Sequence, residues 1–131
     1  MKIIAHGIDI VDCQRLSQSI ERLGQKFLDR VYTPGEQEYC NKRKKSALLS
    51  YAGRFAIKEA VMKVLGTGWV GGIAWTDIEV RNDQSGKPEL ILHNICKQIA
   101  ESKGITDIQI SISHVQSHAV GSAIASGDDD A

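Results

Sequence analysis

Gly53-Arg54-Phe55-Ala56-Ile57-Lys58-Glu59-Ala60-Val61-Met62-Lys63-Val64-Leu65-Gly66-Thr67-Gly68 is the stretch around which the chain is organised. It reads as the second half of a long helix that starts near Ala47. Leu48, Leu49, Ala52, Phe55, Ala56, Ala60 and Met62 recur at helical spacing and define one apolar arc. At about 100° per residue, Glu59 and Lys63 fall in the middle of that arc, and Arg54 falls on the outer face. Two opposite charges one turn apart on a core-facing stripe are costly to desolvate. Gly66 stops the helix. The run Gly66-Thr67-Gly68-Trp69-Val70-Gly71-Gly72 then leaves backbone N–H groups free for a ligand.

Upstream, Lys2 to Val11 reads as a strand with β-branched residues on both faces, as in a buried strand. Asp9 interrupts it, pointing the same way as Ile3, Ala5 and Gly7, and Gly7 leaves space beside it. Asp12 is the better helix cap, placed just before Cys13-Gln14-Arg15-Leu16, so Asp9 is left without a structural task. Cys13 to Leu23 is helical, with Arg15 and Arg22 on one face. Lys26 and Phe27 follow the break at Gly24. Thr33-Pro34-Gly35-Glu36 carries a hydroxyl cap, a first-turn proline and a glutamate three residues after the cap, so it opens a short helix to about Asn41. Lys42 to Lys45 is a polar connector.

Downstream, Thr76 to Asn82 alternates as a half-exposed strand, and Pro88 to Leu92 returns after the turn Asn82-Asp83-Gln84-Ser85-Gly86. A helix follows over His93 to Lys103. Ile108, Ile110 and Ile112 alternate in a strand that ends at His114, and His118 to Ala125 is the last strand. The mixture is α+β: a small antiparallel sheet packed with one long and several short helices. A single domain over residues 1–125, with an acidic, disordered tail over 126–131, is expected.

The 131 residues suffice for one core, and 16 basic residues balance 16 acidic ones. That balance gives no nucleic-acid footprint. Cys13, Cys40 and Cys96 form no C-x-x-C pair, which points to a reducing compartment. Neither a signal peptide nor a membrane-spanning run is apparent, so a cytoplasmic protein without membrane contact is expected.

Asp9 and Glu59 together suggest a hard-cation site, because magnesium takes one or two carboxylates and completes its shell with water and phosphate. Lys63 would face the same phosphates as a point charge, and the glycine run would add backbone donors. His114 could contact a phosphate, or serve only as a hydrogen-bonded strand end. The bases Arg15, Arg22 and Lys26, with Phe27, read either as a solvated face or as a dock for an acidic partner. On composition alone the solvated face leads. No G-K-[ST] follows the glycine run, so a Walker site is unsupported.

Gly7-Ile8-Asp9-Ile10-Val11, Gly53-Arg54-Phe55-Ala56 with Lys58-Glu59-Ala60, Gly66-Thr67-Gly68, Gly86-Lys87-Pro88 and Ser111-Ile112-Ser113-His114 stand in one order. In these pieces the chain resembles the holo-acyl-carrier-protein synthases, the small 4′-phosphopantetheinyl transferases. The resemblance spans residues 1 to about 125. It implies transfer of the phosphopantetheine arm of coenzyme A to a serine of apo-acyl carrier protein, with release of adenosine 3′,5′-bisphosphate, in support of fatty-acid biosynthesis. By position it implies Asp9 and Glu59 as Mg2+ carboxylates in a catalytic set with Lys63. It implies Arg54, Lys63, Gly66, Thr67, Gly68, Pro88 and His114 along the coenzyme A cleft. It turns Arg15, Arg22, Lys26 and Phe27 into the carrier-protein dock, and it implies a homotrimer with sites between neighbouring subunits. The serine proton would go to Glu59 or to a water held by the metal and a carboxylate. Trp69, Trp75 and the extra Gly71-Gly72 depart from the family loop. The alternative is a non-catalytic module that binds coenzyme A or a nucleotide.

Overall fold

The computed structural model describes residues 1–69 and 71–129. Val70 of the glycine run and Asp130 and Ala131 of the tail lie outside the described residues. Strand β1 (Lys2–Asp12) leads into helices α1 (Cys13–Leu23), α2 (Gln25–Val31) and α3 (Pro34–Lys42), and then into the long α4 (Ala47–Leu65). A hairpin of β2 (Ile78–Asn82) and β3 (Pro88–Leu92) follows, then α5 (Asn94–Ser102), β4 (Asp107–His114) and β5 (His118–Gly127). The strands form two antiparallel sheets, one ordered β1-β5-β4 and the other β2-β3.

Helix α4 is the axle of the fold, because small residues let it lie almost on the backbone of the larger sheet. The inner face of β5 is Ala119, Gly121, Ala123 and Ala125, all buried. A Cβ on Gly121 would sit 2.6 Å from the Ile57 nitrogen, and one on Gly7 would sit 2.1 Å from the Ala60 carbonyl oxygen. No side chain fits such an approach. The consequence is a helix buried on nearly every side, from Tyr51 through Leu65, and not along one stripe. Glu59 is only half-buried and Lys63 is exposed. The wheel is therefore inverted at these positions: the two charges mark the opening in a buried helix, and the placement of Arg54 on the outside is also wrong, since it is 3% exposed.

The charge that is fully buried on α4 is Lys58, at 0% exposure. Its Nζ donates to Glu36 Oε1 at 2.9 Å, to the Trp75 carbonyl at 3.1 Å and to the Ile78 carbonyl. Glu36 Oε2 accepts from the Val80 N–H at 3.0 Å. Glu36 also closes the capping box with Thr33 that the sequence announces. One carboxylate thus ties α3, α4 and β2 together, with each buried charge given partners.

Asp12 caps α1 as expected, accepting from the N–H groups of Gln14 and Arg15. Four other expectations differ from the structure. A bulge between Ile3 and Ala5 breaks the alternation of β1, so Ile3 does not share the face of Asp9. The opposite face of β1 is not buried in one chain: Ile3, Ile8 and Ile10 are exposed, beside Ile124 of β5. Glu79 of β2 is buried, not outward, because Thr33 Oγ1 donates to Oε2 at 2.9 Å and His93 Nε2 lies 2.9 Å from Oε1. At the other end, β5 runs two residues past the expected boundary at 125. Lys2 pairs with Gly127, Ser126 is buried, and the Met1 amino group reaches Asp129 Oδ1 at 3.0 Å.

Candidate active site

Asp9 and Glu59 come together because Gly7 lets β1 run against α4. Asp9 lies two residues along the strand, and Glu59 lies beside Ala60 on the helix. Both line one open cavity of about 590 Å³, with Arg15, Phe27 and Phe55 on its walls. Burial pushes the Glu59 carboxyl up, and the Asp9 charge pushes it further. The Trp69 indole and the Lys63 ammonium pull it down without cancelling the rise. The Trp69 N–H acts on Glu59 from nearby, although its geometry falls short of a formed hydrogen bond. A carboxyl raised by a neighbouring carboxylate is one that a shared cation would relieve.

Lys63 does not pair with Glu59, its neighbour one turn back. Its Nζ donates to the Ile8 carbonyl at 2.7 Å and to Asp9 Oδ1 at 3.3 Å, with the ammonium still open to solvent. Gly66 ends α4 in a left-handed conformation, at φ +75°, and its N–H is committed to the Met62 carbonyl. It is therefore not free for an anion. Thr67 and Gly68 follow, with Gly68 also at positive φ and open space where its Cβ would be.

The remaining expected contacts are elsewhere. Arg54, Pro88 and His114 line a separate cavity of about 230 Å³ with Tyr39, Arg43 and Asn82. Arg54 is held there by Ser50 Oγ at 3.1 Å, by Asn82 Oδ1, and by stacking 4.3 Å above the Tyr39 ring. Its Nε has no partner among the described residues. His114 stands exposed at the end of β4. The residues expected along one cleft thus stand in two separate places: Asp9 and Glu59, with Lys63 beside Asp9, in one, and Arg54, Pro88 and His114 in the other.

On the expected docking face, Arg15 and Phe27 reach the cavity of the two carboxylates, whereas Arg22 and Lys26 stand exposed outside it. Phe27 belongs to α2, a helix that the sequence reading did not separate from the break at Gly24. Tyr39, Asn82 and the stacked ring of Trp69 were also missed. Tyr39 and Asn82 meet Arg54 from other elements of the chain, so no spacing announces those contacts.

The sequence model of the 4′-phosphopantetheinyl transferase superfamily matches residues 5–121 of this chain. The chain belongs to this superfamily. A curated relative, the holo-[acyl-carrier-protein] synthase of Solibacter usitatus, is 47% identical over 112 residues, which is 86% of this chain and 89% of that protein. The crystal structure of the holo-[acyl-carrier-protein] synthase of Neisseria meningitidis superposes with a TM-score of 0.86 at 30% identity, covering 95% of this chain and 99% of that one. The Helicobacter pylori synthase, solved in complex with coenzyme A, gives 0.78 at 32% identity over 93% of this chain and all of that one. The phosphopantetheinyl transferase fold is thus the fold of this chain, with Asp9 and Glu59 at the meeting point of its β1 and α4. Among the described residues no helix is long and apolar enough to cross a membrane.

Proposed function

We propose that the protein is a cytoplasmic holo-acyl-carrier-protein synthase. It moves the 4′-phosphopantetheine arm of coenzyme A to a serine of apo-acyl carrier protein and releases adenosine 3′,5′-bisphosphate. The observation that carries this reading is the pairing of Asp9 and Glu59 across the β1–α4 contact, in a chain of this superfamily. The serine oxygen forms a bond to the phosphorus on the pantetheine side of the pyrophosphate. The bond from that phosphorus to the bridging oxygen breaks, and the electron pair leaves on the nucleotide phosphate. The serine proton passes to Glu59 or to water. Such a displacement depends on charge neutralisation and in-line placement more than on a covalent group of the protein.

The donor set fits magnesium. Asp9 and Glu59 are hard oxygen ligands, burial and the Asp9 charge hold the Glu59 carboxyl up, and their cavity leaves room for water and phosphate beside a cation. When bound, the ion would supply charge stabilisation at the pyrophosphate. Lys63 stands beside Asp9 with donor capacity to spare for a phosphate oxygen. Thr67 and Gly68, just past the end of α4, would extend that side of the cleft. Arg15 and Phe27, on the wall of the same cavity, would receive the carrier protein, with Arg22 and Lys26 steering its acidic surface.

The second half-site needs a neighbour. Arg54, Pro88 and His114 open into their own cavity, and the isoleucines of β1 and β5 leave an apolar sheet face uncovered. A homotrimer that buries this face and brings the Arg54 half-site of one subunit to the Asp9–Glu59 half-site of the next would account for both. Mixing inactive Arg54→Ala with inactive Glu59→Gln protein should then restore part of the activity, and light scattering should give the trimer mass. The function itself is tested by intact-mass measurement of apo-carrier protein incubated with this protein, coenzyme A and Mg2+. Gain of one phosphopantetheine mass is expected. Binding of coenzyme A without modification of the carrier would instead mark a non-catalytic binding module.

A further inference from the structure

Arg54 is a buried cation without a counter-ion. It is 3% exposed, and among the described residues no carboxylate pairs with it. A charge so placed is costly unless something compensates it. The partners it does have are neutral. Nη1 donates to Ser50 Oγ at 3.1 Å, Nη2 donates to Asn82 Oδ1, and the guanidinium carbon stands 4.3 Å from the centre of the Tyr39 ring. Of the three nitrogens, Nε alone carries no bond among the described residues. A buried orphan donor is costly, so natural proteins keep few of them.

Asn82 decides how the guanidinium is held. It ends β2, opposite Pro88 in the hairpin register, and both line the cavity of Arg54. Its Oδ1 accepts from Arg54, and its Nδ2 donates to the Gly86 carbonyl at 3.0 Å. These two partners allow the amide only one orientation. Turned over, its NH2 would meet the guanidinium, donor against donor, and its oxygen would meet a carbonyl, acceptor against acceptor. The turn that supplies the carbonyl is itself tied down, because Asp83 Oδ1 accepts from the N–H groups of Ser85 and Lys87, both at 2.9 Å. Contacts therefore run from an ordered turn, through one amide, to a buried charge on α4.

We propose that Asn82 is a positioning residue for coenzyme A binding: oriented by the Gly86 carbonyl, it holds the Nη end of the Arg54 guanidinium so that Nε is left for a phosphate of the ligand. This rests on the reading of the Arg54 cavity as part of the coenzyme A cleft. A phosphate gives the buried charge its missing counter-ion and Nε its missing acceptor at once. Asn82 itself acts through Arg54 and stays neutral, so it orients the cation without cancelling the charge that the phosphate needs.

The test is calorimetric titration of coenzyme A, with Mg2+ present. Five proteins are compared: wild type, Asn82→Ala, Asn82→Leu, Arg54→Ala and the double variant Arg54→Ala/Asn82→Ala. Both single Asn82 variants should bind coenzyme A about 10-fold more weakly. Steady-state rates should show the same loss as a rise in KM for coenzyme A, with KM for the carrier protein unchanged. In the Arg54→Ala background the Asn82 substitution should cost less than about 2-fold, because the group it positions is gone. An equal loss in both backgrounds overturns the inference, since Asn82 would then serve only the hairpin. Wild-type affinity in Asn82→Leu, which keeps the side-chain volume, overturns it too, and that variant decides alone should Asn82→Ala fail to fold. Arg54→Ala separates the two levels: wild-type affinity there defeats the reading of the cavity, and the inference falls with it.

Discussion

Gly7→Ala should damage stability and chemistry together, because one contact serves both. The added Cβ would lie 2.1 Å from the Ala60 carbonyl oxygen, 3.0 Å from its carbon and 3.3 Å from Lys63 Cβ. Neither β1 nor the middle of α4 has a flexible side chain to yield at that point, since the obstacle is backbone. Opening the contact to 3.0 Å, the shortest separation real Cβ atoms show, moves strand and helix apart by at least 0.9 Å. Overpacking of a tight core costs about 1–3 kcal/mol, and a backbone clash belongs at the upper end. For a domain of this size that lowers Tm by roughly 10 °C. The displacement falls between the strand of Asp9 and the helix of Glu59 and Lys63, and a misplacement of about 1 Å can cost about 100-fold in rate. Thermal unfolding at fixed protein concentration, with kcat/KM for apo-carrier protein, reads both effects. Gly35→Ala is the control: its Cβ meets Glu79 Oε2 only at an ordinary 3.6 Å, and it lies in the first turn of α3. It should leave Tm unchanged or slightly raised. Wild-type Tm and activity in Gly7→Ala would refute the idea that this approach sets the two carboxylates.

Other expectations rest on separate contacts. Lys58→Met leaves the buried Glu36 carboxylate without its ion-pair partner and should cost about 3–5 kcal/mol by urea unfolding. Adding Glu36→Gln should recover part of that loss. Glu79 carries a pH signature. Burial works to raise its pKa, but the hydrogen bonds from His93 and Thr33 and the charges of Arg81 and His93 outweigh it, so the net shift is down from 4.5. A carboxylate lowered in the folded state stabilises above its unfolded pKa and loses that contribution as pH falls below about 4.5. Glu79→Gln should therefore be less stable than wild type at pH 7, with the gap narrowing toward pH 3.5 in urea midpoints. Arg15→Glu/Arg22→Glu should raise KM for the carrier protein and leave KM for coenzyme A unchanged. The wild-type KM for the carrier should itself rise with salt.

The elements were legible where local chemistry decides them. The Thr33–Glu36 capping box, the Asp12 cap, the Gly66 stop and the hairpin turn all announce themselves over three or four residues, and all stand in the structure. The environment of α4 was not legible. A helical wheel assumes one buried face, whereas the alanine and glycine ladder of β5 brings a sheet so close that the helix is buried nearly all round. That reversed the positions of Glu59, Lys63 and Arg54. Lys58 went without a role because its partner, Glu36, is 22 residues away. Glu79 reads as an outward residue in an alternating strand, and only Thr33 and His93, from α3 and the start of α5, make it inward. The exposed isoleucines of β1 read as core from their type alone. In the single chain they face outward.

The claim on which the rest depends is that the carboxylates of Asp9 and Glu59 drive transfer of the phosphopantetheine arm. The direct measurement is a single-turnover assay by intact mass, with enzyme in excess of apo-carrier protein and saturating coenzyme A and Mg2+. Wild type, Asp9→Asn and Glu59→Gln are compared after circular dichroism has established equal folding. Conversion of the carrier by wild type, and a loss of rate of at least about 100-fold in both variants, is the expected result. Wild-type conversion by a folded Glu59→Gln protein would contradict it.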